Sequence, residues 1–571
     1  SKLSAAPLAD LAWHVRAWGL WVLRQARRDL ARFYPTYADF QPLKPTAGEY
    51  EQREARLVAL KEDGSVDLEA LNGEFDEDYL SSPATPRWVA KPTVAYLWAR
   101  TVQCKNCRTT FPSKADTDKA KKDKKRVKLS IQPNADRTGV EYSIETEVPL
   151  VGGNATQWRE HDKRIGAGTM SRSGGQCPCC GTIMTMEDIR LEGQAGRLGA
   201  EMTAVVVDGL HGKEYRRPTV EEVRLAAEAK EHLAEVFDQI PFGLPTEPTP
   251  KGGNGASRAF SVDGYGLDQW HKLFTPRQLL AIGTFLSHSR GVGRSRQHQG
   301  YPFEWVESLA GYLALAIDRL VDRGSSICHW DVGYEKVANT FTGYRLPISW
   351  DYAETSALGG SSGSYDGQVE WVARVIEHCQ CATSYSQGCT VTASSATRFD
   401  HAEEGSWDLV LTDPPYYDAI PYSDLMDFFY VWLRRALRSL SREVDDTFRG
   451  ELAPKWDGTE NDGELIDDPS RFGNDSAKSK AMYEEGMLKA FQASFRLLKP
   501  NGRLVVVFAH KQPDAWETLV SAIIKAGFVV DASWPIQTEM GNRTRAQASA
   551  ALSSSVWLVC KKRPLGACVR N

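Results

Sequence analysis

No run of about 18 apolar residues occurs in the chain, so a simple membrane-spanning helix is not expected. Residues 1–33 are rich in Trp, Ala and Arg and lack the charged, apolar, then small-residue layout of a signal peptide. Neither sign of charge dominates: 69 Lys and Arg stand against 74 Asp and Glu, a net charge of −5. Contact with a polyanion must therefore come from local patches and not from the field of the whole protein. The 11 cysteines fall partly in Cys-x-x-Cys pairs, which suits a metal in a reducing compartment better than disulfides. The cytoplasm is the expected location. The first residue is Ser and not Met, so further sequence is expected upstream of it.

At 571 residues, of which 42% are hydrophobic and 25% charged, the chain has the make-up of a globular protein of two to four domains. The pattern divides it into an N-terminal helical segment (1–93), a cysteine-bearing region (94–215), a helical lobe (216–345) and an α/β region (346–571). Leu8, Leu11, Val15, Leu20, Leu23 and Leu30 recur at helical spacing over 7–33, and Pro35 ends the helix. Residues 94–101 read as a strand leading into Cys104-x-x-Cys107. A second knuckle, Cys177-Pro-Cys-Cys180-Gly181, follows much later. Two such pairs supply four thiolates to a tetrahedral ion, and Gly181 lets the backbone turn toward it, so Cys104, Cys107, Cys177 and Cys180 are the expected ligands of a structural zinc. Cys179 and His161 are alternative ligands. The separation of the pairs is far longer than the usual one of roughly 15–20 residues. The insert carries the strongest basic cluster of the chain, including Lys121, Lys122, Lys124 and Lys125. A solvated mobile face is one reading of that cluster; a set of phosphate contacts is the other.

Helices are expected over 218–237, from Pro276 onward, over 303–323 and over 365–378, with a loop at 241–258. Beyond them the alternation changes. Short strands are expected at 390–392 and 408–412, then an aromatic helix at 423–440 and a long acidic loop at 443–475. A helix at 483–498, a strand at 503–509, a helix at 515–526 and strands at 528–534 and 555–561 complete the chain. The last two strands have no helix between them, which suits a final antiparallel strand inserted into an otherwise parallel sheet.

The stretch at 408–412 is apolar and β-rich, as for a parallel strand covered on both faces, and it stops at Asp413-Pro414-Pro415-Tyr416. The prolines forbid continuation of strand or helix and hold the backbone extended. In an open α/β sheet, ligands sit at the carboxyl ends of strands, where Asp413 and Tyr416 would be. Asp-Pro-Pro-Tyr resembles the catalytic motif of DNA methyltransferases that act on an exocyclic amine. Such a nitrogen is a poor nucleophile because its lone pair is delocalised. Acceptors on Asp413 and the Pro414 carbonyl would draw it toward tetrahedral geometry, and Tyr416 would stack on a flipped base. A strand followed by a proline-rich turn with a surface Tyr is the plain alternative.

Further segments resemble one family: adenine-specific DNA methylases that contain a zinc ribbon, including the methylases of bacterial DISARM anti-phage systems. They are Tyr96–Arg100, Phe274–Leu279, Glu335–Phe341, Asp413–Tyr430 and Glu539–Gln547. The resemblance implies an α/β fold in which an AdoMet-dependent methyltransferase (Rossmann-like) sheet carries an inserted zinc ribbon and a helical lobe. It implies methyl transfer from S-adenosyl-L-methionine to adenine N6 in double-stranded DNA, within antiviral defence or host restriction-modification, with other defence proteins as partners. Ser395 and Ala396 would lie near the adenine of AdoMet, next to Asp413. Arg543, Arg545 and Gln547 would touch DNA or cofactor, with a polar surface loop as the alternative. Asp418, Tyr422 and Asp424 would wall the base pocket or merely begin the next helix.

One departure stands out. Enzymes of this class hold AdoMet with a Gly-rich loop after the first strand, and no good copy is present: Asp263–Gly266 and Gly359–Gly363 have glycines in the wrong setting. The first strands of the sheet are therefore expected to be absent from this chain or to lie on a partner polypeptide. Cytosine N4 is an alternative acceptor, and a non-catalytic DNA-binding scaffold is the alternative from another functional class. Methylation of RNA or of a protein amide is a third.

Overall fold

The computed structural model describes residues 10–44, 49–113, 118–120, 126–149, 151–253, 255–297, 300–359, 361–383, 389–399, 402–416, 420–510, 512–536 and 555–564. The fold is mixed α/β, and the chain divides into two compact units. One comprises Ser1–Lys251, Ser261–Gln387 and Phe428–Glu451; the other comprises Gly252–Phe260, Gly388–Asp427 and Leu452–Asn571.

In the first unit, helices α1 (Leu11–Leu30), α2 (Pro276–Gln297), α3 (Phe303–Asp322) and α4 (Tyr365–Thr383) pack on one another. Asp10 caps α1 by accepting from the Ala12 amide at 2.8 Å, satisfying a donor that has no intrahelical partner. The buried stripe of α1 is Ala12, Val15, Gly19, Val22, Leu23, Ala26 and Leu30, whereas Leu20, expected in the core, is 48% exposed. Gly19 permits close approach: a Cβ there would lie 2.6 Å from Val369 of α4.

Beside the helices lies an antiparallel sheet. Four of its strands are β1 (Thr93–Gln103), β4 (Gly199–Gly209), β5 (Gly212–Arg216) and β6 (Asp351–Thr355), in the order β5-β4-β1-β6, and the short strand Thr110–Pro112 also pairs with β1. Between β1 and β4 the chain makes β2 (Val127–Pro133) and β3 (Val140–Glu145), an antiparallel hairpin. The helix expected over 218–237 is broken: Val220–Glu228 and Leu233–Phe237 are α-helical, with a 3₁₀ turn between.

Among the described residues the second unit holds a sheet of β7 (Trp407–Thr412), β8 (Leu498–Phe508), β9 (Phe528–Ile536) and β10 (Ser555–Lys562), in the order β7-β8-β10-β9. β7 and β8 are parallel, and the final strand β10 lies between β8 and β9, antiparallel to both. Helices α6 (Ser476–Leu497) and α7 (Pro513–Lys525) cover one face. From Gly502 to Phe508 burial alternates strictly, so Leu504, Val506 and Phe508 enter a core with Met487, Phe491, Leu519, Ile523, Leu558 and Cys560. Burying each large side chain stabilises by about 1.5–3 kcal/mol. Helix α5 (Tyr422–Leu437) lies between β7 and α6 in the chain, with residues up to Asp427 belonging to this unit.

Two expectations are corrected here. β7 is an edge strand, with Leu409 53% and Leu411 55% exposed, so it is not covered on both faces. Residues 390–392 form no strand, and Val391 is 84% exposed.

Candidate metal centre and candidate active site

Each cysteine pair sits in a tight turn that joins two antiparallel strands. The first joins β1 to Thr110–Pro112, and the second joins Gly174–Gln176 to Ile183–Thr185. The turns are built alike. The Cys104 amide donates to Thr109 O and the Cys177 amide to Thr182 O, at 2.8 and 2.9 Å. The residue after each second cysteine is left-handed, Arg108 at φ 64° and Gly181 at φ 76°.

All four sulfurs lie within 4.8 Å of one another. Cys104 and Cys180 sulfurs are 3.7 Å apart, and those of Cys107 and Cys177 are 3.6 Å apart. A tetrahedral ion with bonds of about 2.3 Å separates its sulfurs by about 3.8 Å, so the cluster has the dimensions to hold a metal such as zinc. Cys104 and Cys177 are buried against Val102, Phe111, Met184 and Ile189, while Cys107 and Cys180 face solvent. The hydroxyl and amide of Thr182 pull the Cys180 thiol down to about 5, and burial pushes Cys177 up to about 12. Cys179 turns its sulfur away, 3.3 Å from Gly139 O, and His161 lies beside Asp162; neither joins the cluster.

The second centre forms where β7 ends. Because β7 and β8 run parallel, with Thr412 opposite Val506, their carboxyl ends share one side of the sheet. Asp413 emerges there exposed, and Pro414 is buried behind it. The Tyr416 ring meets Phe508 edge-on, centroids 5.3 Å apart. Phe508 in turn contacts Trp516 at 5.0 Å and His510 at 6.3 Å. The Tyr483 hydroxyl donates to the Pro415 carbonyl at 2.7 Å and ties the loop to α6. Phe508, His510, Trp516 and Tyr483 were not anticipated. The Phe-Ala-His that ends the strand at 503–509 was the available signal for the first two.

Ser395 and Ala396 sit in a loop held to Asp462. One oxygen of Asp462 accepts from the Ser395 and Thr397 hydroxyls at 2.7 and 3.1 Å, and the other from Arg398 at 2.9 Å. Ala396 is exposed. The segment carrying Asp462, expected to be part of a long acidic loop, also clamps the start of α5. Glu464 accepts from the Ser423 amide at 2.9 Å, and Arg471 pairs with Glu464 at 2.7 Å and with Asp424 at 2.8 Å. Lys455 pairs with Asp427 at 2.6 Å. Burial pushes Asp427 up to about 6 despite that lysine. Asp424 is thus held in an ion-pair cluster in the first turn of the helix, and Tyr422 is 48% exposed.

Lys121, Lys122, Lys124, Lys125, Asp418, Arg543, Arg545 and Gln547 lie outside the described residues. Among the described residues no helix is long and apolar enough to cross a membrane. No family model, curated protein or solved structure matches the chain.

Proposed function

We propose that this chain is the base-binding, catalytic part of an AdoMet-dependent DNA methyltransferase that acts on adenine N6. The observation that carries the reading is the placement of Asp413-Pro414-Pro415-Tyr416 at the carboxyl end of β7, in a sheet whose last strand inserts antiparallel beside β8. That strand order suits the second half of a Rossmann-like methyltransferase sheet. In this reading the Asp413 carboxylate and the Pro414 carbonyl accept the two N–H groups of the target amine. The nitrogen lone pair is thereby released from the ring and made available to an electrophile. The amine proton leaves toward Asp413 or solvent. Tyr416, backed by Phe508, stacks on the flipped base. AdoMet, when bound, supplies the electrophilic methyl group.

The residues present fit only part of AdoMet. Asp462 with the Ser395–Arg398 turn offers acceptors and a cation suited to its adenosine end, but no Gly-rich loop for the rest is evident. Among the described residues no strand pairs with the outer edge of β7, which leaves it as a template on which further parallel strands would pair. That edge equally favours a second reading, a subunit that binds DNA and receives its donor site from another polypeptide. Calorimetry with AdoMet separates the two: micromolar binding by this chain sinks the second reading. Nucleoside analysis of methylated DNA tests the acceptor, N6-methyladenine being expected and N4-methylcytosine contradicting it. The four-cysteine cluster is read as a structural zinc ribbon, and the defence role rests on the family resemblance.

A further inference from the structure

His510 stands just past the end of β8, beyond Phe508, and the chemistry assigned to Asp413–Tyr416 makes no use of it. Three contacts hold it. Its ring lies near-parallel to that of Phe508, at 24° with centroids 6.3 Å apart, while Tyr416 meets the same Phe508 edge-on at 5.3 Å. Its carbonyl accepts from the Trp516 indole N–H at 3.0 Å. Its Nδ1 accepts from the Gln512 amide at 3.1 Å.

The last contact settles the chemistry of the ring. A main-chain amide only donates, so Nδ1 must offer a lone pair, and the neutral imidazole carries its proton on Nε2. His510 is therefore a donor at Nε2, on a ring that cannot turn over without losing the Gln512 bond. A donor fixed in this way, and braced by the aromatic row that backs Tyr416, is preorganised for a ligand acceptor.

The strand register relates this donor to the amine site. Thr412 pairs with Val506, so Asp413 stands level with Val507 on the neighbouring strand. His510 lies about 10 Å further along that strand direction. A base laid across the two strand ends, with its amine at Asp413 and a face on Tyr416, turns a ring edge toward His510. Adenine carries an acceptor nitrogen on either side of its amine, N1 and N7, whereas cytosine carries one, N3.

We propose that His510 sets base specificity by donating from Nε2 to a ring nitrogen beside the target amine. The inference rests on the reading of Asp413–Tyr416 as a base-binding loop. A base without a lone pair at that position leaves the fixed donor unsatisfied, and a site built to hydrogen-bond a group rejects analogues that lack it. A contact at N7 selects adenine over cytosine, which has a C–H at the matching position; a contact at N1 admits both.

The test is fluorescence anisotropy of labelled duplexes with the full chain, without AdoMet. One adenine, 1-deazaadenine or 7-deazaadenine is placed opposite an abasic site, so that unpairing costs little. Wild type is expected to bind adenine about tenfold more tightly than the analogue lacking the contacted nitrogen. His510→Phe keeps a ring on Phe508 and should bring that ratio to about one. His510→Gln, whose amide nitrogen reaches the place of Nε2, should hold it above about threefold. A merely structural role would weaken all three duplexes alike in both variants. Equal binding of the three duplexes by wild type, no binding by wild type, or an undiminished ratio in His510→Phe would overturn the proposal. Methyl transfer from labelled AdoMet to genomic DNA is scored separately. A ratio that His510→Phe abolishes, without transfer, keeps the contact and refutes the enzyme; transfer with equal binding does the reverse.

Discussion

Tyr483→Phe removes the hydrogen bond to the Pro415 carbonyl at the proposed active site. Tyr483 is 1% exposed in the core beneath β8, and its hydroxyl reaches the carbonyl of Pro415 at 2.7 Å. Phe keeps the ring packing and removes only the donor. A neutral hydrogen bond contributes about 0.5–1.5 kcal/mol net, and the Pro415 carbonyl, only half-buried, adds a smaller penalty when it loses its donor. The second unit should therefore lose about 1–2 kcal/mol, a modest change against its core. The effect on catalysis should be larger in proportion. The bond consumes the Pro415 carbonyl and fixes the peptide plane next to Pro414, whose own carbonyl is assigned to the substrate amine. A shift of about 1 Å in such a group costs about 100-fold in rate. Single-turnover methyl transfer should fall about 10- to 100-fold, with the KM for DNA changed less than about threefold, since a uniform binding term is not removed. Hydrogen exchange should rise at the amides of Thr412, Asp413 and Tyr416 and stay unchanged in β10. Unchanged transfer together with unchanged exchange in that loop would refute the pinning argument.

Cys104→Ser should abolish stoichiometric metal retention, whereas Cys179→Ser should keep it; native mass spectrometry reads both, and retention by Cys104→Ser would contradict the ligand set. Asp462→Ala releases Ser395, Thr397 and Arg398 together and should raise the KM for AdoMet about tenfold with kcat nearly preserved, two or three hydrogen bonds of about 0.5–1.5 kcal/mol being lost; an unchanged KM would remove Asp462 from the donor site. Asp427 has a folded-state value raised to about 6 from 3.8, so its contribution is full below about pH 4 and is lost as pH rises through 6. Asp427→Asn should therefore flatten the fall in stability between about pH 4 and 6, by no more than about 3 kcal/mol, in urea titrations; a parallel fall in both proteins would contradict the assignment.

What could be read from the chain differed by the range of the forces involved. The cysteine knuckles were legible because Cys-x-x-Cys with a following turn is a local geometry, and a long insert between them does not alter it. The order of strands and helices from 483 onward was also legible, as was the antiparallel last strand, since the sequence between the last two strands carries no helical pattern. β7 was misjudged because Leu409 and Leu411 indicate strand, yet composition does not say whether a helix or loop packs on the face they share. The stretch around Lys455, Asp462, Glu464 and Arg471 looked featureless because its order comes from ion pairs and hydrogen bonds to residues far away in the chain. Tyr483 was hidden for the same reason: in sequence it is one more residue on an amphipathic helix.

The central claim is that Asp413 receives the amine. Methyl transfer from labelled AdoMet to duplex DNA, measured for the full-length protein and for Asp413→Ala alongside their DNA affinities, tests it most directly. The account predicts N6-methyladenine from the wild type, a loss of at least about 10³-fold in Asp413→Ala, and equal DNA affinity for the two. Transfer by Asp413→Ala at a rate near that of the wild type, or AdoMet and DNA bound by the wild type without any transfer, would contradict it.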